Sequence, residues 1–195
     1  MGNDGEAKRK ITAWALALCV FPLANAGLNH LVLETSWPLF LDSIFTALSA
    51  AAFGLLPGLA TAVLTNGAIE LFNGFPGTHF PFAICGMATA WIVAHAVKKG
   101  RFDTSLQAAA VLLAVALANA LLGALVAVFV FGGYTDVNID ILVSGFRSAL
   151  GNIFSAAFLG RLPTNIVDKG IAVVIPFLLR KAWGASGRMR PNESV

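Results

Sequence analysis

The chain has 195 residues, of which 57% are hydrophobic and only 12% charged, and its mean hydropathy is +0.79. Soluble domains carry about 25% charged residues, so a water-soluble globular domain is excluded and lipid is the expected solvent for most of the surface. The net charge of +3 and the pI near 9.1 do not point to nucleic acid, because the basic residues flank apolar runs, as the positive-inside rule describes.

Residues 11–33, 43–69, 71–97 and 104–135 contain no Asp, Glu, Lys or Arg. Each run is at least as long as the roughly 20 residues needed to cross a bilayer. Ten of the 13 Lys and Arg fall in three clusters: Lys8, Arg9 and Lys10; Lys98, Lys99 and Arg101; Arg180, Lys181, Arg188 and Arg190. The pattern predicts an all-α integral membrane protein of six transmembrane helices with both termini cytoplasmic. A basic N-terminus (1–10) and a basic tail (183–195) flank one membrane domain (11–182).

Span 1 covers 11–33. It is too long for the apolar core of a signal peptide and is read as retained, with a kink expected at Pro22. Span 2 covers 38–54 and opens at Pro38, a residue suited to a first helical turn. Gly54-Leu55-Leu56-Pro57-Gly58 reads as a turn into span 3, 57–73. Asn73-Gly74-Phe75-Pro76-Gly77 reads as a second turn. Spans 4 and 5 follow at 80–97 and 105–131. Small residues at Ala116, Ala120, Gly123, Ala124 and Ala127 would let span 5 pack closely.

Residues 141–160 and 165–182 are both apolar enough to cross. Keeping all three basic clusters on one side requires an even number of crossings. The stretch 141–160 is therefore expected to be an amphipathic helix at the outer surface, with Ser144, Arg147, Ser148, Gly151, Asn152 and Ser155 as its polar stripe. Span 6 would then start near Thr164, an N-cap after Pro163, with Asp168 and Lys169 at its opening. Glu34, Asp136, Asp140, Arg147 and Arg161 would lie outside with them.

Polar side chains inside spans are costly in lipid and gather where they face protein or water. Here they concentrate in the outer half: Asn25 and Asn29 in span 1, Asp42 in span 2, and Asn66, Glu70 and Asn73 in span 3. Asn119 lies near the middle of span 5. The inner half is apolar or small. This asymmetry suits a cavity open to the outside and closed below, and not a continuous pore, which needs polar lining throughout. Asn66, Glu70 and Asn73 are spaced i, i+4, i+7 and share a helix face, so they read either as a ligand-facing wall or as interhelical polar contacts. The candidate substrate-binding residues are Asn66, Glu70, Asn73, His79, Trp37, Asp42, Asn119, Arg147, Asn152 and Asp168. Arg147 is either an interfacial anchor or a ligand contact; Trp37 is either an interfacial anchor or part of the site.

Cys19 and Cys85 sit in apolar runs and read as reduced packing residues. No GxSxG, HExxH, P-loop or metal-ligand spacing occurs, so neither an enzyme activity nor a bound cofactor or metal is expected. Active transport would need ATPases supplied by other subunits.

Several stretches in order carry a resemblance. They are Phe40-Leu41-Asp42-Ser43-Ile44, running through Gly54-Leu55-Leu56-Pro57-Gly58 to Thr65-Asn66; Gly132-Gly133-Tyr134-Thr135-Asp136; and Asp168-Lys169-Gly170-Ile171. With the length and span count, they make residues 11–182 resemble the membrane-embedded substrate-binding S component of an energy-coupling factor (ECF) transporter. Ala13-Trp14-Ala15-Leu16-Ala17 is similar to the AxxxA motif by which S components dock a coupling subunit, which would assign Ala13 and Ala17 to docking. The resemblance implies a multi-pass protein of the bacterial cytoplasmic membrane that captures a vitamin-like or other small polar micronutrient from outside. It would work with a transmembrane T component and two ATPases. No stretch matches the riboflavin, thiamine or biotin types. Related membrane regions also occur fused to signalling kinases, so a ligand-sensing membrane module is the alternative reading.

Overall fold

The computed structural model describes residues 3–135 and 137–185. Asp136, Arg188 and Arg190 lie outside them. All the regular elements described are helical. The first helix, α1, joins an α-helical stretch Asn3–Ala15, a π-helical turn Leu16–Val20 and a second α-helical stretch Phe21–Thr35. Pro22 has no N–H to give to the preceding turn. The wide turn just before it, closed by the Phe21 N–H on the Leu16 carbonyl, takes up that misfit.

The next segment departs from expectation. Residues 36–43 are not helical, and α2 is confined to Ile44–Phe53, so Pro38 does not open a span. The reason is local competition for backbone groups. The N–H groups of Phe40 and Leu41 donate to Asp168 Oδ1 at 3.0 and 2.6 Å, and the Phe40 carbonyl accepts from Asn29 Nδ2 at 2.9 Å. These bonds hold Leu41 at φ 47°, outside the helical region. A ten-residue helix rises about 15 Å, half of a bilayer core.

Gly54, at φ 94°, separates α2 from α3, Leu55–Phe72. A 3₁₀ turn at Phe80–Phe82 leads into α4, Ala83–Lys98. Helix α5, Ser105–Phe131, begins with a capping box in which Thr104 and Gln107 satisfy each other's backbone N–H groups. Helix α6 spans Val137–Leu150 and α7 spans Ile153–Ala185. Among the described residues, five helices, α1, α3, α4, α5 and α7, are long and apolar enough to cross a membrane.

The expectation for 141–160 is also corrected. The chain breaks at Gly151 and Asn152, not at Pro163. The amphipathic helix ends at Leu150, and Ser155 belongs to the last helix. Pro163 and Pro176 both lie inside α7, so Thr164 is not a cap and Asp168 and Lys169 are mid-helix. Proline is tolerated there because neighbouring side chains and helices re-satisfy the freed carbonyls. Helix α6 presses Ile139 and Val143 onto Ala124, Ala156 and Ala157. Gly160 makes the close crossing possible: a Cβ there would lie 2.9 Å from Val143 Cγ2 and 3.0 Å from its backbone nitrogen.

The bundle has two distinct ends. At the terminal end, Arg180 Nε meets Asp103 Oδ1 at 3.3 Å and the Phe102 and Phe177 rings stack edge-on at 5.8 Å. The C-terminal part of α7 thus sits beside the α4–α5 connection. An apolar core of Ala47, Ala50, Val93, Phe102, Val111, Val115, Val173 and Phe177 fills this half. The connections 36–43, 73–79 and 132–135 gather at the opposite, loop end. The outward faces carry Leu18, Leu23, Leu31, Leu64, Trp91, Leu113, Leu117, Leu121 and Leu178, all exposed, as a lipid-facing surface requires.

Candidate functional site

Three polar assemblies shape the loop end. The first ties α1, α2 and α3 together. Asn25, fully buried, donates through Nδ2 to Thr46 Oγ1 and Thr65 Oγ1, both at 3.1 Å, and accepts the Phe45 N–H at 3.0 Å. The acceptor for the first turn of α2 thus comes from another helix, since Ser43 makes no side-chain cap.

The second folds the 73–80 connection back. The Glu70 carboxylate accepts the N–H groups of Gly77 at 3.2 Å, His79 at 2.8 Å and Phe80 at 3.1 Å. Charge-assisted bonds of this kind are stronger than neutral ones. Three of them on one carboxylate hold the segment bearing Thr78 and His79 against α3.

The third is a buried ion cluster. Lys169 Nζ reaches Asp168 Oδ2 at 2.6 Å, Ser43 Oγ at 2.7 Å and Asp42 Oδ1 at 2.9 Å. The ammonium thus makes two hydrogen bonds, to Asp42 and Ser43, and a close ion pair with Asp168. Asp168 also takes the two N–H groups of the 36–43 segment. One cluster therefore pins the non-helical connection to α7.

Between these assemblies lies a cavity of about 70 Å³, room for several waters. Asn29 and Leu33 of α1, Phe40 and Asp42 of the first connection, Asn66 and Ile69 of α3, and Thr78, His79 and Phe82 of the second connection form one side. Cys85 of α4, Asn119 and Gly123 of α5, Thr135, and Arg161, Asn165 and Lys169 of α7 complete it. Arg161 is buried, with Nη2 on Thr135 Oγ1 at 2.6 Å and Nη1 on the Ala157 carbonyl at 3.3 Å. Gly123 makes space for it, since a Cβ there would stand 3.4 Å from Arg161 Cδ.

The residues singled out from the sequence fall into three groups. Asn66, Asp42, Asn119 and His79 line the cavity. Glu70 and Asp168 stand behind its walls and hold the connections that form them. Asn73 donates to the Ile69 carbonyl at 2.8 Å, Asn152 caps α7 through the Ser155 N–H, and Trp37 and Arg147 are exposed; none of these four reaches the cavity. The shared face of Asn66, Glu70 and Asn73 is thus divided among three tasks. Ala13 and Ala17 are 7% and 0% exposed. They face the bundle, where the Ala17 carbonyl accepts from Thr61 Oγ1 at 3.2 Å, and so present no docking surface in this arrangement. The exposed residues of that segment are Ile11, Trp14 and Leu18.

Six lining polar residues were absent from the sequence candidates: Asn29, Thr78, Thr135, Arg161, Asn165 and Lys169. The last three are spaced i, i+4, i+8 and form one stripe of α7. The stripe is visible once Pro163 is not treated as a helix start. Among the described residues, no three His, Cys, Asp or Glu side chains gather in a way that could hold a metal ion.

Compared with known protein families, with curated proteins and with solved structures, the chain gives no match.

Proposed function

We propose that this protein is the substrate-binding membrane subunit of an importer of the ECF type, which captures a small polar solute and hands it to partner ATPases through a transmembrane coupling subunit. The observation that carries the reading is the cavity itself. Its polar walls come from every long helix and from three connections, and the half of the bundle beneath it is packed with apolar side chains. A site walled by polar groups at one end and sealed by a core at the other suits capture and release by rearrangement, not passage through a pore. In this reading the loop end faces outward, the basic clusters face the cytoplasm, and α2 together with the 36–43 segment makes the sixth crossing.

Two experiments test it. Co-expression with an ECF T component and its two ATPases, followed by affinity purification, should recover a four-part complex that drives ATP-dependent uptake. Recovery of this chain alone in every such combination, with no uptake, refutes the transport role. Native mass spectrometry of the detergent-purified chain should detect a bound small molecule, displaced in Asn66→Leu and Asn119→Leu variants. A C-terminal reporter active only in the cytoplasm checks the orientation.

A further inference from the structure

We infer that the cavity selects a small, neutral or singly cationic solute rich in N–H donors, and discriminates against carboxylates and phosphates; this rests on reading the cavity as the solute site. Four asparagines from four different helices line it: Asn29, Asn66, Asn119 and Asn165. In each, one N–H of the amide donates to a backbone carbonyl, and in Asn119 the NH₂ also reaches Thr89 Oγ1 at 3.0 Å. Asn29 donates to Phe40 at 2.9 Å, Asn66 to Ala62 at 3.2 Å, Asn119 to Val115 at 2.9 Å and Asn165 to Arg161 at 2.9 Å. A carbonyl can only accept, so each contact decides which end of the amide is nitrogen. The flipped amide would set oxygen against oxygen. Three of the four use the same device, a bond back to the carbonyl one turn earlier in their own helix.

The consequence is a set of oriented acceptors. Each amide keeps its Oδ1 for something other than its anchoring carbonyl. Asn29 gives the clearest case: the residue is only 8% exposed, and its Oδ1 has no hydrogen-bond partner. A buried acceptor without a donor costs stability until a donor reaches it. Asp42 adds a carboxylate to the same wall.

The nearby ammonium does not reverse this polarity. Lys169 donates to Asp42 and Ser43 and is ion-paired with Asp168. With Arg161, also a lining residue, two cations stand against Asp42 and Asp168, so the cluster leaves no net positive charge to draw in an anion. An anionic solute would meet amide oxygens from four helices, and could recruit Lys169 or Arg161 only in competition with the buried partners that already hold them. A solute with amidine, guanidine, amide or ring N–H groups would supply what the oxygens lack.

The test titrates the full chain, purified in detergent, with benzamidine, benzamide and benzoate at concentrations up to millimolar, where weak binding still registers. The three share a size and shape and differ in donors and charge. Thermal unfolding and Trp fluorescence report binding. Benzamidine and benzamide should act at concentrations at least about tenfold below benzoate. Asn66→Leu, which disturbs only a bond within its own helix, should erase most of that preference; Asn29→Leu should do the same if it folds. Benzoate binding as well or better overturns the donor rule and leaves the cavity standing as a solute site. A preference unchanged in Asn66→Leu and Asn119→Leu means binding elsewhere and also overturns the rule. No response to any of the three, with native helix content, overturns both the rule and the solute site. Donor-selective binding without any association with a T component keeps the rule and sinks the transport role.

Discussion

Replacing Lys169 by Met isolates the ion cluster that holds the cavity wall. The substitution keeps the length and apolar bulk of the side chain and removes the ammonium. Asp168, fully buried, then loses its ion partner at 2.6 Å, and Asp42 and Ser43 lose theirs at 2.9 and 2.7 Å. Breaking a buried pair by removing one partner costs about 3–5 kcal/mol, because the remaining charge is stranded. Adding Asp168→Asn removes the stranded charge and keeps an oxygen for the Phe40 and Leu41 N–H groups, so the double variant should regain at least about 1 kcal/mol. The cluster is shielded from ions, so added salt should leave these differences unchanged. The contrast is Arg180–Asp103, whose side chains are 29% and 53% exposed; removing that pair should cost under about 1 kcal/mol and respond to salt. Unfolding in detergent micelles, followed by circular dichroism, measures these three variants against the parent. A Lys169→Met protein within about 1 kcal/mol of the parent, or a double variant no more stable than the single one, refutes the cluster as the tie between α7 and the 36–43 segment.

Asn25→Leu should destabilise by about 1–3 kcal/mol, because it orphans the Phe45 N–H and two threonine hydroxyls inside the bundle; equal stability in the same unfolding assay would count against the three-helix tie. Glu70→Gln should loosen the 73–80 connection at a cost of about 1–3 kcal/mol, read as faster amide hydrogen exchange at Gly77, His79 and Phe80 with helix content retained. Unchanged exchange would mean that the carboxylate is not the fastener. Gly160→Val should push α6 off α7, at about 1–3 kcal/mol, so that a cysteine placed at Val143, shielded in the parent, becomes open to maleimide; continued protection would contradict the close crossing.

Charge-free runs, basic flanks and turn residues are local properties, and they were enough to locate α3, α4, α5 and the apolar part of α1, Lys10–Thr35, to within a few residues. The enrichment of polar groups toward the 36–43, 73–79 and 132–135 end was legible for the same reason, since each costly amide or carboxylate stands out in an apolar run. The span 2 boundary was not legible. Nothing between Trp37 and Ser43 announces that its backbone will be claimed by Asp168, 127 residues away from Leu41. Likewise, Pro163 carries a helix-breaking signal that the packed surroundings of α7 override.

Composition and periodicity by themselves determined that this chain lives in lipid, that its helices pack through small residues, and that its scarce polar groups concentrate in one half. Only the tertiary structure decided what each of those groups does. Glu70 and Asp168 are conspicuous in sequence because they are charged, yet they spend their charge on backbone N–H groups. Asn29 and Asn165 are plain in sequence, yet line the cavity. The difference follows from the pairing of buried polar groups: a carboxylate that finds donors becomes structure, whereas an amide anchored at one end can still line a cavity. Which outcome applies depends on neighbours that only the fold brings within reach.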